Sequence, residues 1–253
     1  MVLNPNTTVI AASANAITAL LFLYVAYRLL KFWQKGRDPL SAALATSILL
    51  LGLGLAVEVA SEVVTITVGV NALGNALTYA FFALFILSYP VLAYFSVGLF
   101  YPRNRWYLPT ISFSGGFALA IILTQDIGYG PPPIAMAPFA ALTLGLYVPL
   151  YMACRRTAPK APMKVTQMKF VLVGRFAVLY IVTFILFGLT PFFGGEGQEF
   201  IGNLFFLLVA AVMMITVIHA WFGWAMPDFL RRRYSEDVPV VADQEDKQHS
   251  VQD

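Results

Sequence analysis

The stretch Leu40–Val68, LSAALATSILLLGLGLAVEVASEVVTITV, contains no basic residue, and its only acids are Glu58 and Glu62. A helix of about 20 mostly apolar residues, rising about 1.5 Å per residue, crosses a hydrocarbon layer about 30 Å thick. The stretch therefore reads as a transmembrane helix. Upstream, an apolar run from about Thr8 to Leu30 ends among Arg28, Lys31, Lys35 and Arg37. Downstream, a run from about Leu73 to Phe100 ends at Pro102, Arg103 and Arg105. Four more runs follow: Trp106–Thr124, Ile134–Ala153, Gln167–Phe193 and Phe200–Trp224. The expected fold is an all-α bundle of seven transmembrane helices.

The composition agrees. Of 253 residues, 59% are hydrophobic and 11% charged, where soluble domains carry about 25% charged residues. The mean hydropathy is +0.76. A single cysteine, Cys154, excludes an internal disulfide and a cysteine-ligated cluster, and two histidines, His219 and His249, are too few for a three-histidine metal site. There is no phosphate-binding glycine loop and no HExxH, so no catalytic residue, metal or cofactor is expected, and no enzyme. Nucleic acid is not an expected partner either.

Orientation follows from the cations, which gather in cytoplasmic loops. Every basic residue except Arg175 falls at one end of the seven-span plan: after spans 1, 3, 5 and 7. The N-terminus is thus expected outside and the C-terminus inside, in a multi-pass protein of the cell membrane. The first run has no basic residue before it and several after it, the reverse of a secretory signal. Asn6-Thr7-Thr8 fits a glycosylation sequon on the outside.

Residues 1–233 form the expected membrane domain. Residues 234–253 carry Glu236, Asp237, Asp243, Glu245, Asp246 and Asp253 against one Lys247, with almost no large apolar residue. That segment is read as a disordered acidic cytoplasmic tail. The chain leaves no room for a kinase or helix-turn-helix, so an output signal would pass to a separate cytoplasmic protein through the basic loops and the tail. Besides the lipid bilayer and such a partner, the chain is compatible with a homo-oligomer.

Charges placed in hydrocarbon cost about 2.5–3.5 kcal/mol each on insertion scales and usually mark function. Glu58 and Glu62 share one face of span 2. Asn15, Asn71, Asn75, Gln125, Asp126, Glu199 and Asn203 fall at similar outer levels. One reading is an outward-opening acidic pocket for a cation, a proton or a polar ligand; the other is interhelical hydrogen bonding. Arg175 either meets His219 of span 7, reaches Glu58, or snorkels to the headgroups. The candidate binding residues are Glu58, Glu62, Asn75, Asn203, Arg175 and His219. Gly52, Ala56 and Ala60 stand at small-xxx-small spacing for close helix packing. Pro90, Pro138 and Pro149 fall inside spans.

Gly74-Asn75 and Gly202-Asn203 open spans 3 and 7, and Ala16-Ile17-Thr18 and Ala141-Leu142-Thr143 lie in spans 1 and 5. Their near-equal spacing suggests a 3+1+3 arrangement, as in some transporters. Cys154, Arg175 and His219 are residue types shared with the exosortase and archaeosortase transpeptidases. Cys154 nevertheless sits before Arg155 and Arg156 at the cytoplasmic end of span 5, and reads as structural.

Phe82-Ala83-Leu84-Phe85-Ile86-Leu87-Ser88-Tyr89-Pro90-Val91-Leu92 resembles the third helix of microbial rhodopsins, as do the span count, outside N-terminus and short acidic tail. In that family an Asp serves as counterion where Leu84 stands here, and retinal is held on a span-7 lysine. No lysine occurs between Phe200 and Trp224, so the resemblance implies the fold without covalent retinal. On topology alone the chain is also similar to seven-helix sensor modules and to small 3+1+3 sugar transporters. Three functions stand: a non-catalytic sensor or receptor-like protein holding a small ligand, lipid or chromophore in its outer half; a transporter or channel for a small solute, cation or proton; and a structural subunit of a membrane assembly.

In intact cells, a tag at the amino end should be protease-accessible and one after Asp253 protected. The reverse pattern would overturn the assigned orientation.

Overall fold

A computed structural model describes residues 5–69, 71–124, 133–189 and 199–235. The helices are α1 (Pro5–Gly36), α2 (Pro39–Val68), α3 (Ala72–Phe100), α4 (Tyr107–Thr124), α5 (Pro133–Thr157), α6 (Lys164–Leu189), α7 (Glu199–Ala220) and α8 (Asp228–Ser235). The first seven are long and apolar enough to cross a bilayer, and the chain is an integral multi-pass membrane protein. Large apolar side chains cover its outer surface, Phe113 being 77% and Leu20 67% exposed. Lipid is the solvent that tolerates such a surface. The sequon side chains, Gln125 and Asp126, the loop after α6 including the expected end of span 6, and the acidic tail from residue 236 lie outside the described residues.

Each of the seven spanning helices packs against its neighbours in the chain, α7 returns to α1, α3 also touches α5, and α8 packs on α6. The bundle is a closed ring in sequence order. Within that ring α1–α2–α3 and α5–α6–α7 are each consecutive neighbours joined through α4, while α1 on α3 and α5 on α7 are not among the principal interfaces of the described residues.

Local chemistry sets the helix ends. α1 runs through Arg28, Lys31 and Lys35 to Gly36, past the expected boundary, since cations end a membrane crossing but not a helix. Asp38 caps α2: its carboxylate accepts from the backbone N–H groups of Leu40 and Ser41 and, at 2.8 Å, from the Ser41 hydroxyl, with Pro39 next in line. These bonds, the Ser41 hydroxyl foremost, hold the Asp38 carboxyl below the usual carboxylate range. Gly69 ends α2 with φ +81°, a conformation suited to glycine. The Asn71 side chain then caps α3 by accepting from Gly74 N–H at 2.8 Å. α7 continues into a π-helical turn, Trp221–Ala225, and only Met226 (φ 30°) and Pro227 separate that turn from α8. α8 reaches Ser235, two residues beyond the expected edge of the membrane domain.

Several buried hydroxyls are satisfied within their own helices: Thr18, Ser96, Thr183 and Thr216 each donate to the carbonyl four residues back. Of the small-residue face, only Gly52 packs. A Cβ there would lie 3.1 Å from the Leu23 backbone nitrogen, whereas Ala56 and Ala60 are exposed. The prolines bring a different repair. Pro149 has no N–H for the Gly145 carbonyl, and Tyr107 of α4 donates its hydroxyl to that oxygen at 2.9 Å, with the Leu146 oxygen at 3.4 Å.

Tyr107→Phe should therefore destabilise the bundle by about 1 kcal/mol, read by reversible unfolding in mixed micelles. In a Pro149→Ala background, where the backbone donor is restored, the penalty should shrink. An equal penalty in both backgrounds would show that the hydroxyl does not serve this carbonyl.

Candidate functional site

α2 carries Leu55, Glu58 and Glu62 along one face, the two acids about 6 Å apart along the axis. The α2–α3 turn holds that end of α2 in place. Ser61 Oγ donates to the Gly74 carbonyl at 3.0 Å and lies 2.9 Å from Thr78 Oγ1. Both carboxylates face a cavity of about 80 Å³ in the half of the bundle away from the basic loops. Asn15 of α1 reaches it from one side, and its Nδ2 donates to Glu62 Oε1 at 3.3 Å.

The remaining wall is aromatic. α3 supplies Phe81, Phe82 and Phe85, α5 supplies Phe139, α6 supplies Tyr180, Phe184 and Phe187, and α7 supplies Phe206 beside Val209 and Met213. The rings brace one another: Phe81 and Phe82 have centroids 4.9 Å apart, as do Phe139 and Phe184. Beneath them lies a layer of buried hydroxyls. Tyr89 Oη is 2.9 Å from Thr143 Oγ1 and 3.5 Å from Tyr180 Oη, and Tyr147 stacks on Tyr180 at 4.1 Å. Below that layer the interior is mostly apolar, with Ile48, Leu92, Leu146 and Phe176 buried beside the hydroxyls of Ser47 and Ser96.

Against this polar–aromatic lining, the acids are underserved. Glu58 Oε2 and Glu62 Oε2 are sealed from solvent and have no hydrogen-bond partner, and Glu62 is only 9% exposed. No described residue lining the cavity is basic.

The structure thus joins Glu58 and Glu62 but leaves the other candidates apart. Arg175 is exposed. The inward face of α6 is set by the buried Val173, Phe176, Ala177 and Tyr180, and Arg175 falls opposite it, so it meets neither Glu58 nor His219. His219 Nδ1 lies 2.9 Å from the Ile215 carbonyl of its own helix. Asn75 is half-buried near the start of α3, where its N–H bonds the Asn71 carbonyl at 3.1 Å. Asn203 is half-buried on α7, and neither asparagine lines the cavity. The Glu199 side chain lies outside the described residues. Cys154 is buried, as a structural cysteine would be.

The signal missed in the sequence is the aromatic wall. Phe81, Phe82 and Phe85 stand at one-turn spacing on α3, and Tyr180, Phe184 and Phe187 do so on α6. Asn15 was legible as a polar residue at the right depth, but not as the partner of Glu62.

The chain matches no family model, no curated protein and no solved structure.

Asn15→Leu should cost about 1–3 kcal/mol of unfolding free energy, by leaving Glu62 with two unpaired oxygens. Asn15→Leu combined with Glu62→Leu should recover most of it, because an apolar pair leaves no orphan. A double variant no more stable than Asn15→Leu would argue against the pairing.

Proposed function

We propose that this protein is a non-catalytic, receptor-like membrane sensor that holds a small molecule in the cavity around Glu58 and Glu62 and signals to a separate cytoplasmic partner. The observation that carries this reading is the pocket itself: six of the seven spanning helices line it, and its acids have unmet bonding capacity. Ligand pockets typically combine mostly apolar walls with a few convergent polar groups. An occupant touching six helices can favour one packing of the ring over another, which is the thermodynamic requirement for a sensor.

The partner would engage the end bearing Lys31, Lys35, Arg103, Arg105, Arg155, Arg156 and α8, the cytoplasmic end by the distribution of cations. The weak resemblance to microbial rhodopsins supports a central pocket in a seven-helix ring, with a non-covalent occupant in place of retinal. The mostly apolar layer beneath the tyrosines favours sensing over permeation, since a conducting path usually has a polar lining.

Protein extracted from its native membrane in mild detergent should release a near-stoichiometric small molecule on denaturation, detected by mass spectrometry. Val209→Phe, which narrows the cavity, should abolish that release while the protein stays folded. Absence of any released molecule, together with proteoliposome uptake that requires Glu58, would replace the sensor by a transporter.

A further inference from the structure

The two carboxylates pose a problem of charge balance that the chain does not solve. Each has an oxygen buried without a partner, on a helix surrounded by hydrocarbon, where an unpaired charge is costly. Among the described residues, the hydrogen bond to these acids is the one from the amide of Asn15 to Glu62, which is neutral. Arg175 turns outward, His219 bonds its own helix, and no described lining residue is cationic. No cation of the described chain balances them, so with the cavity empty a proton neutralises them, and a cationic occupant would take the place of that proton.

The kind of charge can be read from the walls. A hard metal ion such as calcium takes six to eight oxygen ligands, and magnesium a near-octahedral shell. Besides the acids, the lining offers few oxygens. They are the Asn15 amide oxygen, the Thr183 hydroxyl, which donates its proton to the Leu179 carbonyl, and the Tyr180 hydroxyl, which belongs to the layer beneath. Most of the remaining surface is ring: eight aromatic side chains line the cavity. Ring faces attract organic cations, and aromatic cages are the recurrent means of binding quaternary ammonium groups. The volume of about 80 Å³ is roughly half that of a cavity that accepts benzene, so the cationic group must be compact.

We infer that the cavity binds a small primary ammonium ion, a short protonated alkylamine, with Glu58 and Glu62 as its counter-charge and the phenylalanine rings as its cage. This rests on the reading of the cavity as a ligand site and names the ligand class. Glu58 and Glu62 lie one turn apart, so the ammonium group can be held between them while its alkyl group faces Phe85, Phe139 and Phe184.

Purified protein in lipid nanodiscs should be titrated with methylammonium and ethylammonium, with methanol and ethanol as neutral counterparts, and with sodium at matched ionic strength. Calorimetry gives affinity and thermal unfolding gives stabilisation. At least one ammonium ion should bind saturably, raise Tm, and bind at least tenfold more tightly than its alcohol. Glu58→Gln and Glu62→Gln, which keep side-chain volume, should each weaken ammonium binding at least tenfold and leave alcohol binding unchanged. Their ligand-free Tm values should equal or exceed that of the parent protein, which separates lost binding from lost folding.

Equal affinity for ammonium and alcohol, unmoved by Glu58→Gln, would overturn the ammonium assignment while leaving the cavity a ligand site. Saturable stabilisation by sodium without any ammonium effect would overturn it in favour of a metal ion. Failure of all probes to bind folded protein would sink both the ammonium assignment and the ligand-site reading.

Discussion

Hydrocarbon offers no hydrogen-bond partner, so every polar group placed in it must be answered from within the chain. Most of this molecule obeys. The spans are helical because only then are backbone groups answered locally, and buried Thr18, Ser96, Thr183 and Thr216 bond back onto their own turns. Where Pro149 removes a donor, a tyrosine from the next helix replaces it. The rule is broken at Glu58 and Glu62, whose second oxygens have no answer. A costly exception within an otherwise compliant interior is the strongest pointer to function.

The same site is mechanically central. Tyr180 belongs both to the cavity lining and to the hydroxyl layer joining α3, α5 and α6. Phe85 stacks on Tyr180 and lies edge-on to Phe139. A side chain displaced in the cavity must therefore disturb ring contacts on three helices at once. In a close-packed interior such disturbances move between discrete arrangements rather than deform continuously.

Much of this was legible in the sequence. Span lengths follow from runs of apolar residues, and the two acids stand out because α2 is otherwise nearly free of charge. Helical spacing placed them on a common face. Depth alone could not choose among the three readings of Arg175, and azimuth does: the inward positions Val173, Phe176 and Ala177 place it on the outside. The aromatic wall was harder to see, since its members come from four helices and phenylalanine is also ordinary lipid-facing material, as Phe113 and Phe117 show. Sequence spacing along one helix cannot say which rings from different helices converge. That depends on the order of the ring, and ring order is a property of packing.

The π-helical turn at Trp221–Ala225 has a mechanical implication. Trp221 lies edge-on to Tyr24 of α1, and Trp224 to Phe176 of α6. Gly223 lets the turn sit tightly against Val173. An extra residue per turn twists the chain that follows it, and only Met226 and Pro227 intervene before the arginine-rich α8. α8 follows α7 in the chain but packs on α6, so the segment bearing Arg231, Arg232 and Arg233 is tied to two helices of the ring, and both share in placing the charged rim.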